Sequence, residues 1–113
     1  MSDCVFCRIA LGEIPARLAG RSETAVAFHD LNPQAPVHVL VIPKREIARL
    51  ADAGAGDQAL LGHLMLAANE VARQLGVDDA FRLVVNNGAR AGQSVFHLHL
   101  HVLAGRPMHW PPG

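Results

Sequence analysis

Charge of one sign is missing from this chain. Its 113 residues carry 10 basic and 10 acidic side chains, a formal net charge of zero, so no basic face is large enough for counterion-driven binding to DNA or RNA. Long apolar runs are missing too. None approaches the roughly 18 residues of a membrane span, and the start, Met-Ser-Asp-Cys, has no basic stretch leading into an apolar one, as a secretory leader would. Cysteine is limited to Cys4 and Cys7. Two are too few for a disulfide framework, but C-x-x-C suits a redox pair or half a zinc site. These absences point to a cytoplasmic protein with no nucleic-acid or membrane partner.

Half of the residues are hydrophobic and 18% are charged, which excludes disorder and supports one core and one domain over 1–113. There is no tyrosine and one tryptophan, against seven histidines. That excess asks for a chemical reason.

Hydrophobic patterning predicts a short amphipathic helix over 5–11, stopped by Gly12 and Pro15. Strands follow at 24–30 and 37–42, separated by the turn Asn-Pro-Gln-Ala-Pro at 32–36. From about 57 to 75, Leu60, Leu61, Leu64, Met65, Ala68, Val71, Ala72 and Leu75 recur at helical spacing, with Gly76 as the stop. A strand at 81–86, a loop through Asn87-Gly88 and Gly92, and a strand at 95–103 complete the pattern. The expected class is α+β, with one long and one short helix on four or five mainly antiparallel strands, and an irregular tail over about 104–113.

The chemistry concentrates at His97-Leu98-His99-Leu100-His101. Strand alternation puts the three imidazoles on one face at steps of roughly 6.6 Å, with Phe96, Leu98, Leu100 and Val102 turned to the core. Two such histidines could ligate zinc and activate a water. Alternatively, a neutral imidazole could itself attack phosphorus or an acyl carbon. Spacing leaves both open. Gly92-Gln93-Ser94, a small-residue loop with a hydroxyl just before the row, tilts the reading toward a phosphate.

The string from Gly92 to His101 resembles the signature of the histidine triad superfamily. Ala27 to Pro36, His38, Val41 to Lys44, Leu60 to Met65 and the closing Met108 to Gly113 resemble its nucleotide-binding protein branch along nearly the whole chain. The resemblance implies a homodimer whose five-stranded sheets join across the interface, and hydrolysis of purine nucleoside phosphoramidates such as adenylated lysine. Catalysis would require no cofactor. By position, His99 would be the nucleophile that forms a nucleotidyl-histidine. His101 and His38 would polarise the phosphate, His97 would orient His99 through its backbone carbonyl, and Ser94 would sit by the scissile bond. Phosphate and ribose would meet Asn86, Asp30, His29 and the Gly92-Gln93-Ser94-Val95 loop. Val5, Phe6, Ile9, Phe28 and Leu31 would form an apolar slot for the purine.

Cys4 and Cys7 resemble bacterial members in which such a pair, joined by two histidines, binds a structural zinc; His38 and His97 are the implied partners. The tail with His109 and Trp110 would reach the partner subunit's active site. Asn87 stands where relatives carry an acidic residue. The resemblance also leaves room for a nucleotide-binding scaffold protein, or for an enzyme of dinucleoside polyphosphates.

Overall fold

The computed structural model describes residues 4–113. Five strands, β1 (Leu18–Arg21), β2 (Ala25–His29), β3 (Val37–Pro43), β4 (Phe81–Val84) and β5 (Leu100–Ala104), form one antiparallel sheet in the order β1-β2-β3-β5-β4. Helix α1 is Val5–Ala10 and helix α2 is Gln58–Gln74. The α+β class, the β2–β3 hairpin and the long helix are those read from the sequence. Strand β1 has no alternating pattern in Leu-Ala-Gly-Arg and was not located there. No helix among the described residues is long and apolar enough to cross a membrane.

Alternation along the central strands splits two cores between the two faces of the sheet. Ala25, Ala27, Val39, Val41, Leu98, Leu100 and Val102 pack under Leu64, Ala68 and Val71 of α2. Val26, Phe28, Leu40 and Ile42 face the other way, against Phe6 and Ala10 of α1. Burial on both faces explains the nearly unbroken apolar runs of β2 and β3. Helix α2 ends where Gly76 takes φ +73°, letting the Val77 N–H reach the Ala72 carbonyl at 2.9 Å.

The last strand is shorter than the alternation suggests: β5 begins at Leu100, so His97, Leu98 and His99 precede it. Val41 pairs with Leu100, so two residues further on Leu98 would face Pro43, which has no N–H to donate. The segment leaves the sheet there, and the Leu98 N–H bonds the Ile47 carbonyl instead. One consequence corrects the sequence reading: Phe96, expected in the core, is 44% exposed.

Candidate active site

His99 stands immediately before β5 on the α1 side of the sheet, mostly buried. Its Nδ1 lies 2.7 Å from the carbonyl oxygen of His97. A carbonyl can only accept, so Nδ1 carries the hydrogen and Nε2 keeps its lone pair. The ring is held edge-on between Phe6 and His101, both with centroids at 5.0 Å. These contacts fix the plane of the ring and which nitrogen carries the hydrogen.

His101 and His38 meet across the β3–β5 ladder. Leu40 is directly opposite His101, so His38, two residues earlier on the same face, is its diagonal neighbour. His38 Nε2 lies 2.9 Å from His101 Nδ1 and 3.4 Å from Asp30 Oδ2. His38 Nδ1 accepts the Gln34 N–H at 3.0 Å. Asp30 Oδ1 accepts the Asn32 N–H at 2.8 Å, which ties the carboxylate into the turn. Burial, reinforced by the neighbouring His99 and His38, pushes His101 down to about 4 against the weaker pull of Asp30. Burial likewise lowers His38, opposed by Asp30. Both rings are neutral near pH 7.

His97 is separate from this pair and entirely buried, rather than standing in a row on one strand face. Its Nε2–H donates to the Pro43 carbonyl at 2.8 Å, so the Nδ1 lone pair points at Cys4 Sγ and Cys7 Sγ, 3.1 and 3.2 Å away. Cys4 caps α1, its sulfur accepting the Cys7 N–H. The three ligand atoms lie within 4.8 Å of one another. Two sulfurs and an imidazole nitrogen whose other nitrogen is held by a carbonyl fit a zinc ion. Glu46 is the acidic group whose field reaches His97.

The expected ligand His38 is not in this cluster; it belongs with Asp30 and His101. That second group of three does not suit a metal. The Gln34 N–H occupies the His38 Nδ1 lone pair, which puts the ring hydrogen on Nε2, the atom that would have to ligate. For the same reason His38 has both nitrogens engaged inside the protein and would reach a ligand only through His101.

The remaining candidates divide. Ser94 and Gly92 are exposed at the mouth of the loop, with Gly92 at φ +101° and the Asn86 amide over its Cα. Gln93 is buried and fully used. Its Nε2 donates to the Ala48 and Val95 carbonyls and its Oε1 accepts the Gly88 N–H, so it bolts the loop rather than touching a ligand. Asn87 accepts the Ala51 N–H at 2.7 Å and anchors the same loop.

Phe6 and Phe28 meet edge-on at 5.4 Å, with Ile9 and Val95 against their cluster. Leu31 is not part of that wall: it is 98% exposed, and Val5 is exposed as well. His29 is half-buried at the end of β2, lowered by burial and by Arg17. His63 is on the exposed side of α2. Arg82 holds the tail through the His109 carbonyl at 2.9 Å, leaving Trp110 82% exposed. Two contributors had no signal of their own in the sequence, because both act through backbone atoms: the Gln34 amide and the Pro43 carbonyl.

A model of the HIT domain family matches residues 11–108. A HIT-like protein of Synechocystis sp. is 58% identical over 111 residues, 98% of this chain and 97% of that protein. Among solved structures, a HIT family hydrolase from Legionella pneumophila superposes with a TM-score of 0.96 at 45% identity, over 98% of this chain and 100% of its own. A histidine triad protein from Clostridium difficile gives 0.93 at 40% identity, over 96% of each. The chain belongs to the HIT domain family.

Proposed function

We propose that this HIT-domain protein is a hydrolase of purine nucleoside phosphoramidates, cleaving the P–N bond of adenosine 5'-phosphoramidates in two steps. The observation that carries the reading is the bond from His99 Nδ1 to the His97 carbonyl, which turns the Nε2 position toward the attack. Nε2 attacks the phosphorus, the P–N bond breaks, and the amine leaves with a proton relayed from solvent through the Ser94 hydroxyl, a proton that the water of the second step gives back. Water then attacks the nucleotidyl-histidine, releasing AMP and the free ring. His101 faces the phosphoryl oxygens as a neutral donor, and Ser94 stands at the exposed mouth where the amine departs. The ring pair Phe6–Phe28, with Ile9, forms the apolar side on which the purine rests.

Cys4, Cys7 and His97 would hold a structural zinc, which when bound ties α1 to the segment before β5. That segment carries His99, and α1 carries its neighbour Phe6. The working form is a homodimer. Among the described residues strand β4 is an edge of the sheet, and Trp110 is largely exposed.

The test is steady-state hydrolysis of an adenosine phosphoramidate carrying a fluorescent amine, for the wild type and for His99→Ala, each with and without a strong chelator. Turnover that is lost in His99→Ala and kept with the chelator supports the reading. Activity surviving in His99→Ala returns the choice to a metal-activated water. Hydrolysis of dinucleoside polyphosphates alone would move the protein to another branch of the family.

A further inference from the structure

The turn at 32–36 leads into β3, which carries His38. Its backbone does something more specific. The Gln34 N–H points at His38 Nδ1 at 3.0 Å, and an N–H cannot face a second N–H at that distance. His38 is therefore neither protonated on Nδ1 nor free to change tautomer, and its single ring hydrogen is on Nε2. Both atoms within reach of that hydrogen are acceptors: His101 Nδ1 at 2.9 Å and Asp30 Oδ2 at 3.4 Å. With Nδ1 accepting, neutral His101 must carry its own hydrogen on Nε2.

The turn is itself clamped. Arg106 Nε donates to the Gln34 carbonyl at 3.1 Å. Gly105, at φ +92°, lies so close to Pro36 that a Cβ there would come within 2.8 Å of the proline ring.

We propose that the Gln34 backbone amide and His38 are positioning groups whose task is to fix the direction of a hydrogen-bond chain, Gln34 N–H to His38 to His101. The chain ends in a His101 Nε2–H aimed at the phosphoryl group. His99 and His101 are thereby set in opposite senses: the His97 carbonyl makes one ring a nucleophile, and the Gln34 amide makes the other a donor. Either ring with its hydrogen moved would spoil the pair. The inference rests on the proposed phosphoryl chemistry for the identity of the final acceptor, but the tautomers themselves are a property of the protein alone.

Two measurements test it. Ring 15N–1H two-bond correlations on histidine-labelled protein, at about pH 8, above the ordinary imidazole range, are expected to show Nε2–H for His38 and His101 and Nδ1–H for His99. Kinetics then compare His38→Gln, whose amide can still donate to His101 Nδ1, with His38→Met, which cannot. The methionine variant is expected to lose about 100-fold in kcat/KM with an alkylamine leaving group, and the glutamine variant no more than about fivefold. In His38→Met the His101 ring is expected to populate Nδ1–H. An Nδ1–H His101 in the wild type, or equal losses in the two variants, overturns the proposal. If no phosphoramidate is turned over at all, the functional reading fails while the tautomer spectrum still decides this one.

Discussion

His97 presents its backbone carbonyl to His99 Nδ1 at 2.7 Å while its own ring turns away to Pro43 and the two cysteine sulfurs. One residue thus does two jobs with different atoms. Its main chain sets the tautomer of the proposed nucleophile, and its side chain joins α1 to the segment before β5. Substitutions at the two residues consequently separate.

His99→Ala removes the proposed nucleophile and leaves the side-chain contacts of His97 in place. The expected result is a loss of at least about three orders of magnitude in kcat with little change in Tm. Mass spectrometry of acid-quenched wild-type enzyme should show one added nucleotidyl group, absent from the variant. An adduct that persists in His99→Ala would show that another group attacks.

Cys4→Ser combined with Cys7→Ser strikes the other job. Metal titration of the purified protein should give one zinc per chain in the wild type and none in the double variant. Tm should fall by at least about 5 °C, since the metal binds only the folded site. Activity per folded molecule at low temperature should survive far better than in His99→Ala. Complete loss of chemistry with the fold intact would give the metal a direct role.

Stability should depend on pH through His101. Its folded value is pushed down to about 4, against 6.5 when free. Between those values the unfolded chain binds a proton that the folded chain refuses, so stability falls as pH drops from about 6.5 toward 4 and is level above that window. His38, also lowered by burial, adds in the same direction. Urea midpoints measured across this range should decline toward acid, and less steeply in His101→Asn. A midpoint that rises on acidification would contradict the assignment.

Gln93→Ala leaves the Gly88 N–H and the Ala48 and Val95 carbonyls without their shared partner. A cost of about 2–3 kcal/mol in denaturant unfolding is expected. Because the side chain bonds only the protein, nucleotide affinity of the folded fraction should change much less than it does in Ser94 or Asn86 variants. Calorimetric titration with AMP measures that difference.

Light scattering should return about twice the 12.1 kDa of one chain. Removing residues 107–113 should raise KM for the phosphoramidate while leaving the protomer's cores, which do not use them, intact. A mass near that of a single chain would remove the tail from any role in a neighbour's site.

Local patterning already determined much of this protein. The alternation in β2 and β3, the helical stripe of α2 with its glycine stop, and three histidines spaced by single hydrophobic residues are short-range signals, read at the periods of strand and helix. They sufficed for the fold class and for singling out the segment of the candidate site. Tertiary structure decided how the histidines are used. Period-2 spacing treats His97, His99 and His101 as equivalent, but Pro43 ends the ladder, so His97 leaves the shared face and joins Cys4 and Cys7. The family resemblance puts His38 with those cysteines, but the diagonal register of β3 on β5 gives it to His101 instead. Which nitrogen of each ring holds a hydrogen depends on the Pro43 and His97 carbonyls and the Gln34 amide. Backbone atoms are the same in every residue, so no pattern of side chains could have announced them.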